Sequence, residues 1–243
     1  MEPVALAGRR VAVLGGTSGI GLATARAAAA LGAEVAVVGS RPSRVAKALA
    51  ELPAGATGHA ADLTDESALT ATVTALGPID HLAYTAGEPL VLTPLADLDT
   101  KTAAGFFRLR YFGALAAVRA ATPHLRDGGS ITLITGTAAD RPAPGWTVGA
   151  SLCGAMDALT RALAVELAPR IRVNAVKPGV IRTPLWSALP DDAREALFRD
   201  NAASVPLARV GEVGDVARAF IYCMTQPFAT GTVIPVDGGA LAA

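Results

Sequence analysis

A glycine-rich turn near the N-terminus is the first group of residues whose types and spacing could do chemistry. It reads Gly15-Gly16-Thr17-Ser18-Gly19-Ile20-Gly21, follows the apolar run Val11–Leu14, and leads into a helix predicted over Ile20–Leu31. Glycine lets the backbone turn sharply and approach a bound pyrophosphate, and a helix N-terminus supplies N–H groups and a positive dipole. Such a turn also occurs as an ordinary strand-to-helix connection. Its place directly after the first strand predicts a dinucleotide site.

The end of the second predicted strand indicates which dinucleotide is preferred. It reads Val38-Gly39-Ser40-Arg41, and Arg44 follows one helical step later. An acidic residue here would bind the ribose 2′-hydroxyl and repel a 2′-phosphate, but none is present. A guanidinium suits a phosphate. The pattern predicts NADP(H) rather than NAD(H); the alternative is that Arg41 and Arg44 are solvated residues at a helix start.

Further motifs resemble the short-chain dehydrogenase/reductase family over nearly the whole chain. They are the Gly-x-x-x-Gly-x-Gly turn, Asp62-Leu63 after the third strand, Ala86-Gly87 after the fourth, the loop Pro178–Thr183, and Asp237-Gly238-Gly239. The resemblance implies that the Asp-Leu pair contacts adenine and that Ile181 and Thr183 hold the nicotinamide carboxamide. Together with the charge argument, the residues expected to bind the cofactor are Gly15, Thr17, Ser18, Gly19, Ile20, Gly21, Ser40, Arg41, Arg44, Asp62, Leu63, Ala86, Gly87, Pro178, Gly179, Ile181 and Thr183.

The catalytic residues of that family are missing. Family members use an Asn, a Ser, a Tyr and a Lys to handle the proton that accompanies hydride transfer. Alignment by neighbouring residues puts Arg110, Gly136, Gly149 and Cys153 in these four places. The chain is therefore identified as a divergent member that lacks the Asn-Ser-Tyr-Lys tetrad.

Three residues are candidates to compensate for the loss. Arg110 is expected to project toward the space that the lysine vacates and to stabilise charge on a substrate oxygen, because a guanidinium stays charged near neutral pH. Its alternative role is that of a surface helix arginine. Thr135 and Thr137 flank Gly136, and either hydroxyl could replace the serine; the alternative is that both only cap a loop.

Other reactive side chains give weaker indications. Cys153 is placed on the first turn of a helix predicted over Gly149–Leu167, where a thiolate is favoured; a buried, inert cysteine is the alternative. Trp146 and Trp186 are expected to line the substrate entrance, with a substrate flap around 184–206. The three histidines show no metal-ligand spacing, so no metal site is predicted.

Alternation of short β-branched runs with helical ones is expected to position these residues. It predicts an α/β fold: one Rossmann-like, doubly wound domain over 1–243, with about seven parallel strands and helices on both faces. The predicted strands are Arg10–Leu14, Glu34–Val38, Thr57–Ala61, Asp80–Tyr84, Ser130–Thr135, Arg172–Ala175 and Thr232–Val236. The remaining predicted helices are Ser43–Leu52, Asp65–Ala75, Asp99–Ala121, Asp191–Ala202 and Val213–Thr225.

Composition restricts the class of protein. The 243 residues are 51% hydrophobic and carry 21 basic and 21 acidic side chains, with no basic block to attract nucleic acid or an anionic membrane. Two cysteines, Cys153 and Cys223, make no disulfide framework. The expectation is a cytoplasmic protein without nucleic-acid or membrane partners. From the resemblance, the long helices Asp99–Ala121 and Gly149–Leu167 would pair copies into a homodimer or homotetramer.

Three functions remain open at this point. The first is an NADP(H)-dependent oxidoreductase that acts on a small to medium apolar carbonyl or alcohol substrate through an atypical site. The second is an NADP(H)-binding pseudoenzyme, a sensor or subunit. The third is a non-redox lyase, isomerase or cyclase that reuses the pocket, because fold alone does not choose a chemistry.

Overall fold

The computed structural model describes residues 6–88, 90 and 92–243, and these form one seven-stranded parallel sheet with helices on both faces. The strands are β1 Arg10–Leu14, β2 Glu34–Gly39, β3 Thr57–Ala60, β4 Ile79–Tyr84, β5 Leu125–Ile134, β6 Ile171–Pro178 and β7 Val233–Val236. The helices are α1 Gly19–Ala30, α2 Pro42–Ala50, α3 Glu66–Leu76, α4 Thr100–Phe107, α5 Ala114–Ala121, α6 Thr147–Leu167, α7 Asp191–Ser204 and α8 Val213–Thr225.

The central strands are apolar on both faces because helices cover both. Along β1, Val11 and Val13 pack in the core under α1 and α8, while Ala12 and Leu14 face α5 and α6. Successive side chains of a strand point to opposite faces, so an uninterrupted apolar run fills two cores at once. This explains why the predicted strands show no polar alternation.

The order of the strands creates a crevice at one edge of the sheet. The order is β3-β2-β1-β4-β5-β6-β7, so the chain moves outward in one direction from β1 and then returns to start again at β4. The carboxyl ends of β1 and β4 therefore stand side by side while their following segments diverge. In open parallel sheets, ligands bind at this point of reversal.

Most element boundaries lie within two residues of the sequence prediction. β6 extends further, to Pro178 rather than Ala175. β5 begins at Leu125 rather than Ser130. The helix expected over Asp99–Ala121 is divided by a π-helical segment, Arg108–Gly113, between α4 and α5. α6 begins at Thr147, two residues earlier than predicted.

The flap predicted around 184–206 has its own small core. A 3₁₀ turn at Pro184–Trp186 leads to α7, and Trp186 and Phe198 pack against Leu90 and Val210. The indole Nε1 of Trp186 donates to the Ile181 carbonyl over 2.9 Å. The flap is thus attached directly to the loop that follows β6.

Helix α6 alone, within the described part of the chain, has the length and apolar composition of a membrane-spanning helix. Leu152, Met156 and Leu159 on this helix are buried against the sheet. A core helix meets the same criteria, so its apolar character is explained by its packing.

Candidate functional site

One cavity of about 610 Å³ opens at the carboxyl ends of the strands. It runs from the glycine turn and the end of β2, past the ends of β4 and β5, to the flap. All but one of the residues predicted from the sequence to bind the cofactor line it, as do Arg110, Thr135, Thr137 and the three other tetrad positions. The structure therefore brings the two predicted sets together in one continuous space.

The glycine turn is packed too closely to carry side chains. A Cβ on Gly15 would lie 2.5 Å from the backbone nitrogen of Ala86, and one on Gly21 would lie 2.2 Å from the carbonyl oxygen of Gly15. Ser18, the N-cap of α1, makes no side-chain capping hydrogen bond within the described part of the chain. The first N–H groups of α1 consequently remain available to a phosphate, and the turn fits a dinucleotide.

At the end of β2, the structure separates the two arginines. Ser40 and Arg44 line the cavity, but Arg41 does not. Arg41 is the exposed N-cap of α2, with extended backbone, and lies outside the cavity wall. Its expected contact with a 2′-phosphate is therefore not supported by its position, whereas that of Arg44 is.

Asp62 lies at the adenine end of the predicted site. Its carboxylate accepts hydrogen bonds from the backbone N–H and the hydroxyl of Thr64, at 2.9 and 2.8 Å. These two bonds hold the pKa of Asp62 below its usual value, with the backbone bond contributing most. Asp62 thus stays ionised and oriented at the rim of the cavity.

The positions that the sequence analysis assigned to the family tetrad lie at the other end of the cavity. A Cβ on Gly149 would meet only Leu90, at 3.9 Å. A Cβ on Gly136 would lie 3.1 Å from the sulfur of Cys153, so this sulfur fills part of the space that a serine would take. The hydroxyl of Thr135 donates to the Cys153 carbonyl over 3.0 Å, whereas Thr137 starts the short turn Thr137–Ala139 at the cavity wall.

Cys153 is not the activated thiol that its predicted place suggested. It lies in the second turn of α6 rather than the first, since the helix starts at Thr147. Burial, and after it the carboxylate of Asp157 one turn further on, raise the pKa of Cys153 to about 11. The helix dipole acts mainly within the first turn, so the thiol remains protonated near neutral pH.

Arg110 is held against the segment that follows β4. Its guanidinium lies over Gly87 and donates from Nη2 to the Glu88 carbonyl. Its Nε is 3.5 Å from Oε2 of the Glu88 carboxylate, and its carbon Cζ lies 5.1 Å from the centre of the Phe106 ring. Arg110 still lines the cavity, as does Glu88.

Sequence reasoning missed Glu88. No motif marks it, and the signal available was only its position directly after Ala86-Gly87. The carboxylate lines the substrate end of the cavity, where no other acidic residue does so among those described. Its Oε2 is buried and, within the described residues, has no hydrogen-bond partner.

Aromatic side chains form much of the remaining wall. The rings of Trp146 and Trp186 stand 6.1 Å apart at 56°, and Phe106 faces the same space. Both tryptophans line the cavity, but Trp186, which was predicted at its entrance, is buried in the core of the flap. Among the described residues, no group of three or more His, Cys, Asp or Glu side chains could hold a metal ion.

Comparison with known proteins agrees with this architecture. The model of the SDR-like Rossmann domain matches residues 4–242. A short-chain dehydrogenase/reductase, ATR9 of Stachybotrys chlorohalonatus, is 36% identical over 96% of this chain and 97% of its own. A small-chain dehydrogenase in complex with NADPH superposes with a TM-score of 0.84 at 31% identity, covering 97% of this chain and 99% of that one.

A second solved structure is that of the MalC reductase/Diels–Alderase from Malbranchea aurantiaca. It has a TM-score of 0.90 at 29% identity and covers 98% of both chains. The family model, the relatives and the shared sheet all extend over nearly the full length of the chain. This protein therefore belongs to the short-chain dehydrogenase/reductase family.

Proposed function

We propose that the protein is an NADP(H)-dependent oxidoreductase with an atypical active site, acting on an apolar carbonyl or alcohol compound. The observation that carries this proposal is the single cavity that joins the glycine turn, the end of β2 and the Pro178–Thr183 loop to an aromatic pocket. A protein that held only the adenine half would have no need of the loop beside the nicotinamide.

Named residues would hold the cofactor. The first turn of α1 would take the pyrophosphate, Arg44 and Ser40 the 2′-phosphate, and Ile181 and Thr183 the carboxamide. The similarity to a dehydrogenase solved with NADPH supports this assignment. When bound, the cofactor supplies or accepts a hydride.

The remaining polar groups would act on the substrate. Arg110 would stabilise negative charge that develops on a substrate oxygen, since its guanidinium stays charged in the wall of the cavity. Of the two candidate threonines, Thr137 would orient the same oxygen, because the Thr135 hydroxyl donates its single proton to the Cys153 carbonyl. Water would exchange the proton, because the tyrosine that performs this step in the family is replaced by Gly149.

The experiment that tests this proposal measures binding and turnover separately. Titration of intrinsic fluorescence with NADPH and NADH gives both affinities; the expected result is tighter binding of NADPH. Replacing Arg44 with Glu should weaken NADPH by about 10- to 100-fold, as expected for loss of a charged hydrogen bond. The neighbouring Arg41→Glu is the matched control and should change little.

Turnover is followed by NADPH absorbance with a panel of apolar ketones, aldehydes, quinones, enones and imines. Oxidation of NADPH by any of them supports the proposal. Equal affinity for the two cofactors would contradict the preference for NADP(H), and unchanged absorbance at high enzyme concentration across the panel would contradict the oxidoreductase.

A second candidate is a non-redox role for the same pocket. It is favoured by the loss of all four tetrad residues and by the similarity to the MalC reductase/Diels–Alderase, whose name joins a redox and a non-redox activity. Product formation without any change in NADPH would indicate such a lyase, isomerase or cyclase. Tight NADPH binding with neither result would indicate a pseudoenzyme.

The setting of the protein is proposed from its surface and composition. We infer a homodimer or homotetramer in the cytoplasm, acting on a small molecule, without nucleic-acid or membrane partners. Exposed apolar side chains at Phe112 of the π-helical segment, Leu115 of α5 and Val165 of α6 support the pairing of these helices between copies.

A further inference from the structure

The guanidinium of Arg110 is held in place on one side and open on another. Its Nη2 donates a hydrogen bond to the main-chain carbonyl of Glu88, and its Nε lies near the Glu88 carboxylate. The guanidinium carbon of Arg110 lies over the Phe106 ring. Nη1 makes no hydrogen bond to the residues that the structure describes, although the side chain is only 17% exposed. Arg110 therefore presents a fixed cationic edge to the cavity.

The described residues beside this cation offer no efficient proton donor. The described residues that line the cavity include no Tyr, Lys or His. The Thr135 hydroxyl already donates to the Cys153 carbonyl, and burial raises the pKa of the Cys153 thiol to about 11. Reduction of an isolated ketone gives an alkoxide that needs a proton at once. Such a site is poorly suited to an isolated ketone.

A conjugated substrate removes this requirement. When hydride adds to the β-carbon of an enone, the electron pair of the double bond moves onto the carbonyl oxygen and forms an enolate. This anion is delocalised, is far less basic than an alkoxide, and needs a cation more than it needs an acid. Arg110 supplies the cation in a site of low polarity, where such stabilisation is strong.

We propose that Arg110 is an oxyanion site for planar, apolar α,β-unsaturated ketones, and that the protein reduces their carbon–carbon double bond. This inference rests on the proposed oxidoreductase function. The flat substrate would lie between Phe106 and the Trp146–Trp186 pair, whose rings suit conjugated systems.

The reaction balances with the reduced nicotinamide as reductant. One C–H bond of the dihydronicotinamide breaks and one forms at the β-carbon of the enone. The enolate oxygen remains on Arg110, and water then gives a proton to the α-carbon. The sum is enone, NADPH and one proton giving the saturated ketone and NADP⁺.

A binding experiment tests the oxyanion site without turnover. The probe is 2-naphthol, a planar phenol whose ionised form mimics an enolate and has its own absorption and emission bands. The wild-type protein should lower the apparent pKa of bound naphthol by about one unit or more, which means at least about tenfold tighter binding of the naphtholate than of the naphthol. Preferential binding of the neutral form would overturn the proposal.

Variants connect this effect to Arg110. Arg110→Gln should remove the preference for naphtholate, and Arg110→Lys should retain part of it because the charge remains. Arg119→Gln, at an exposed arginine of α5, is the matched control and should leave the preference unchanged. Unchanged NADPH affinity shows that each variant is folded. Equal naphtholate binding by Arg110→Gln and wild type would overturn the assignment.

Turnover distinguishes this inference from the function on which it rests. A bicyclic enone should be reduced at least about 100-fold faster than the saturated ketone of the same skeleton, the range expected for an oxyanion donor. Deuterium from labelled NADPH should appear at the β-carbon. An N-methyl iminium analogue represents the imines of the panel. If the protein reduces the saturated ketone as fast as the enone, or reduces only the iminium compound, this inference is overturned while the proposed oxidoreductase function remains supported. If none of these compounds is reduced but another member of the panel is, only this inference fails; if no compound of the panel oxidises NADPH, both proposals fail.

One further variant addresses the thiol. Cys153→Ala should keep its enone reductase activity within about threefold of wild type, because the proposal assigns no proton transfer to this sulfur. A loss of 100-fold or more, with NADPH affinity intact, would make the thiol the donor and overturn the proposal.

Discussion

The carboxylate of Glu88 should weaken the binding of an anion to Arg110. Its carboxylate oxygen lies 3.5 Å from the Arg110 Nε and would repel an oxyanion bound to the same guanidinium. We expect Glu88→Gln, which keeps the shape and the main-chain carbonyl, to tighten binding of 2-naphtholate on the order of threefold to tenfold at low salt. Weaker binding in the variant would instead mean that the carboxylate is needed to hold Arg110 in position.

Cys153 provides a second prediction at the scale of one residue. Because its pKa is about 11, only about one thiol in a thousand is ionised at pH 8, and the thiolate is the reactive form. Alkylation by iodoacetamide should therefore be slow near neutral pH and should accelerate about tenfold per pH unit up to pH 10. Mass spectrometry locates the label.

Cys223 and the Cys153→Ala variant are the controls for this experiment. Burial raises the pKa of Cys223 to about 12, so it should react more slowly still. Removing Cys153 should remove the faster phase of labelling. Rapid labelling of Cys153 at pH 7 would contradict the position of the thiol in the buried second turn of α6.

At the scale of elements, Tyr84 supports the π-helical segment that carries Arg110. Its hydroxyl donates to the Leu109 carbonyl over 2.6 Å. A Cβ on Gly113 would lie 2.6 Å from the hydroxyl oxygen of Tyr84, so this position has no room for a side chain. Burial raises the pKa of Tyr84 well above its usual value, so this phenol is a structural donor. π segments recur where a helix must place a functional side chain.

Removing that donor should destabilise the protein. We expect Tyr84→Phe to lower the free energy of unfolding by about 1–2 kcal/mol, because the Leu109 carbonyl loses its partner in a buried site. Urea denaturation measures the change. Tyr222→Phe, at an exposed tyrosine, should leave stability within about 0.5 kcal/mol of wild type. Equal stability of all three proteins would show that the bond contributes nothing to the fold.

A buried lysine, Lys177, forms ion pairs with two aspartates and so connects β6, the segment after β5 and α6. Lys177, near the end of β6, is 7% exposed; it bonds to Asp140 beyond the turn after β5 and, over 2.7 Å, to Asp157 on α6. Burial lowers the pKa of Lys177, but the hydrogen bonds and charges of the two aspartates outweigh this and raise it. The lysine thus ties the cavity wall at Thr137 to the helix that bears Cys153.

Removing the Lys177 side chain should lower the free energy of unfolding. Lys177→Met leaves the Asp157 carboxylate buried without its cation, which is expected to cost about 3–5 kcal/mol of stability, and Lys177→Met/Asp157→Asn should recover much of it. The raised pKa means that the stabilisation is complete below the unfolded pKa of about 10.4 and is lost as pH rises through the folded value. Urea denaturation between pH 7 and 11 measures both effects; a stable single variant would contradict them.

The elements themselves were largely predictable, since alternating apolar runs and helical runs reflect a sheet buried on both faces. The sequence did not reveal the start of β5, because its residues Arg126–Gly129 are polar and exposed apart from the last glycine. It did not reveal the π segment either, because one added residue in a helical turn barely alters the apolar periodicity.

At the site, motifs identified most of the cavity wall, but orientation was beyond them. Arg41 and Arg44 carry the same charge, and only the direction of α2 decides which faces the cavity. Arg110 was placed correctly on its helix, yet its partner Glu88 lies 22 residues away in a loop. A contact of this kind depends on tertiary packing, which short-range patterns do not contain.

At the scale of the whole molecule, the cavity opens on one side, and we propose that another side pairs with a second copy. The cavity occupies the carboxyl edge of the sheet. Phe112 of the π-helical segment and Val165 of α6 do not line this cavity and remain 58% and 82% exposed. Apolar side chains on such helices are typical of surfaces that pair in symmetric oligomers.

The last prediction follows from this surface. In a symmetric oligomer, each substitution on a paired face is repeated near the axis, so Val165→Glu would place like charges close together. We expect this variant to run as a smaller species in light scattering coupled to gel filtration, with a dimer becoming a monomer or a tetramer a dimer. The control is Leu95→Glu. Leu95 is an exposed apolar residue outside these helices, 72% exposed, and its replacement should leave the mass of the oligomer unchanged. An unchanged mass for Val165→Glu would show that α6 does not contribute to assembly, whereas a reduced mass with intact NADPH binding would show that the cavity is complete within a smaller species.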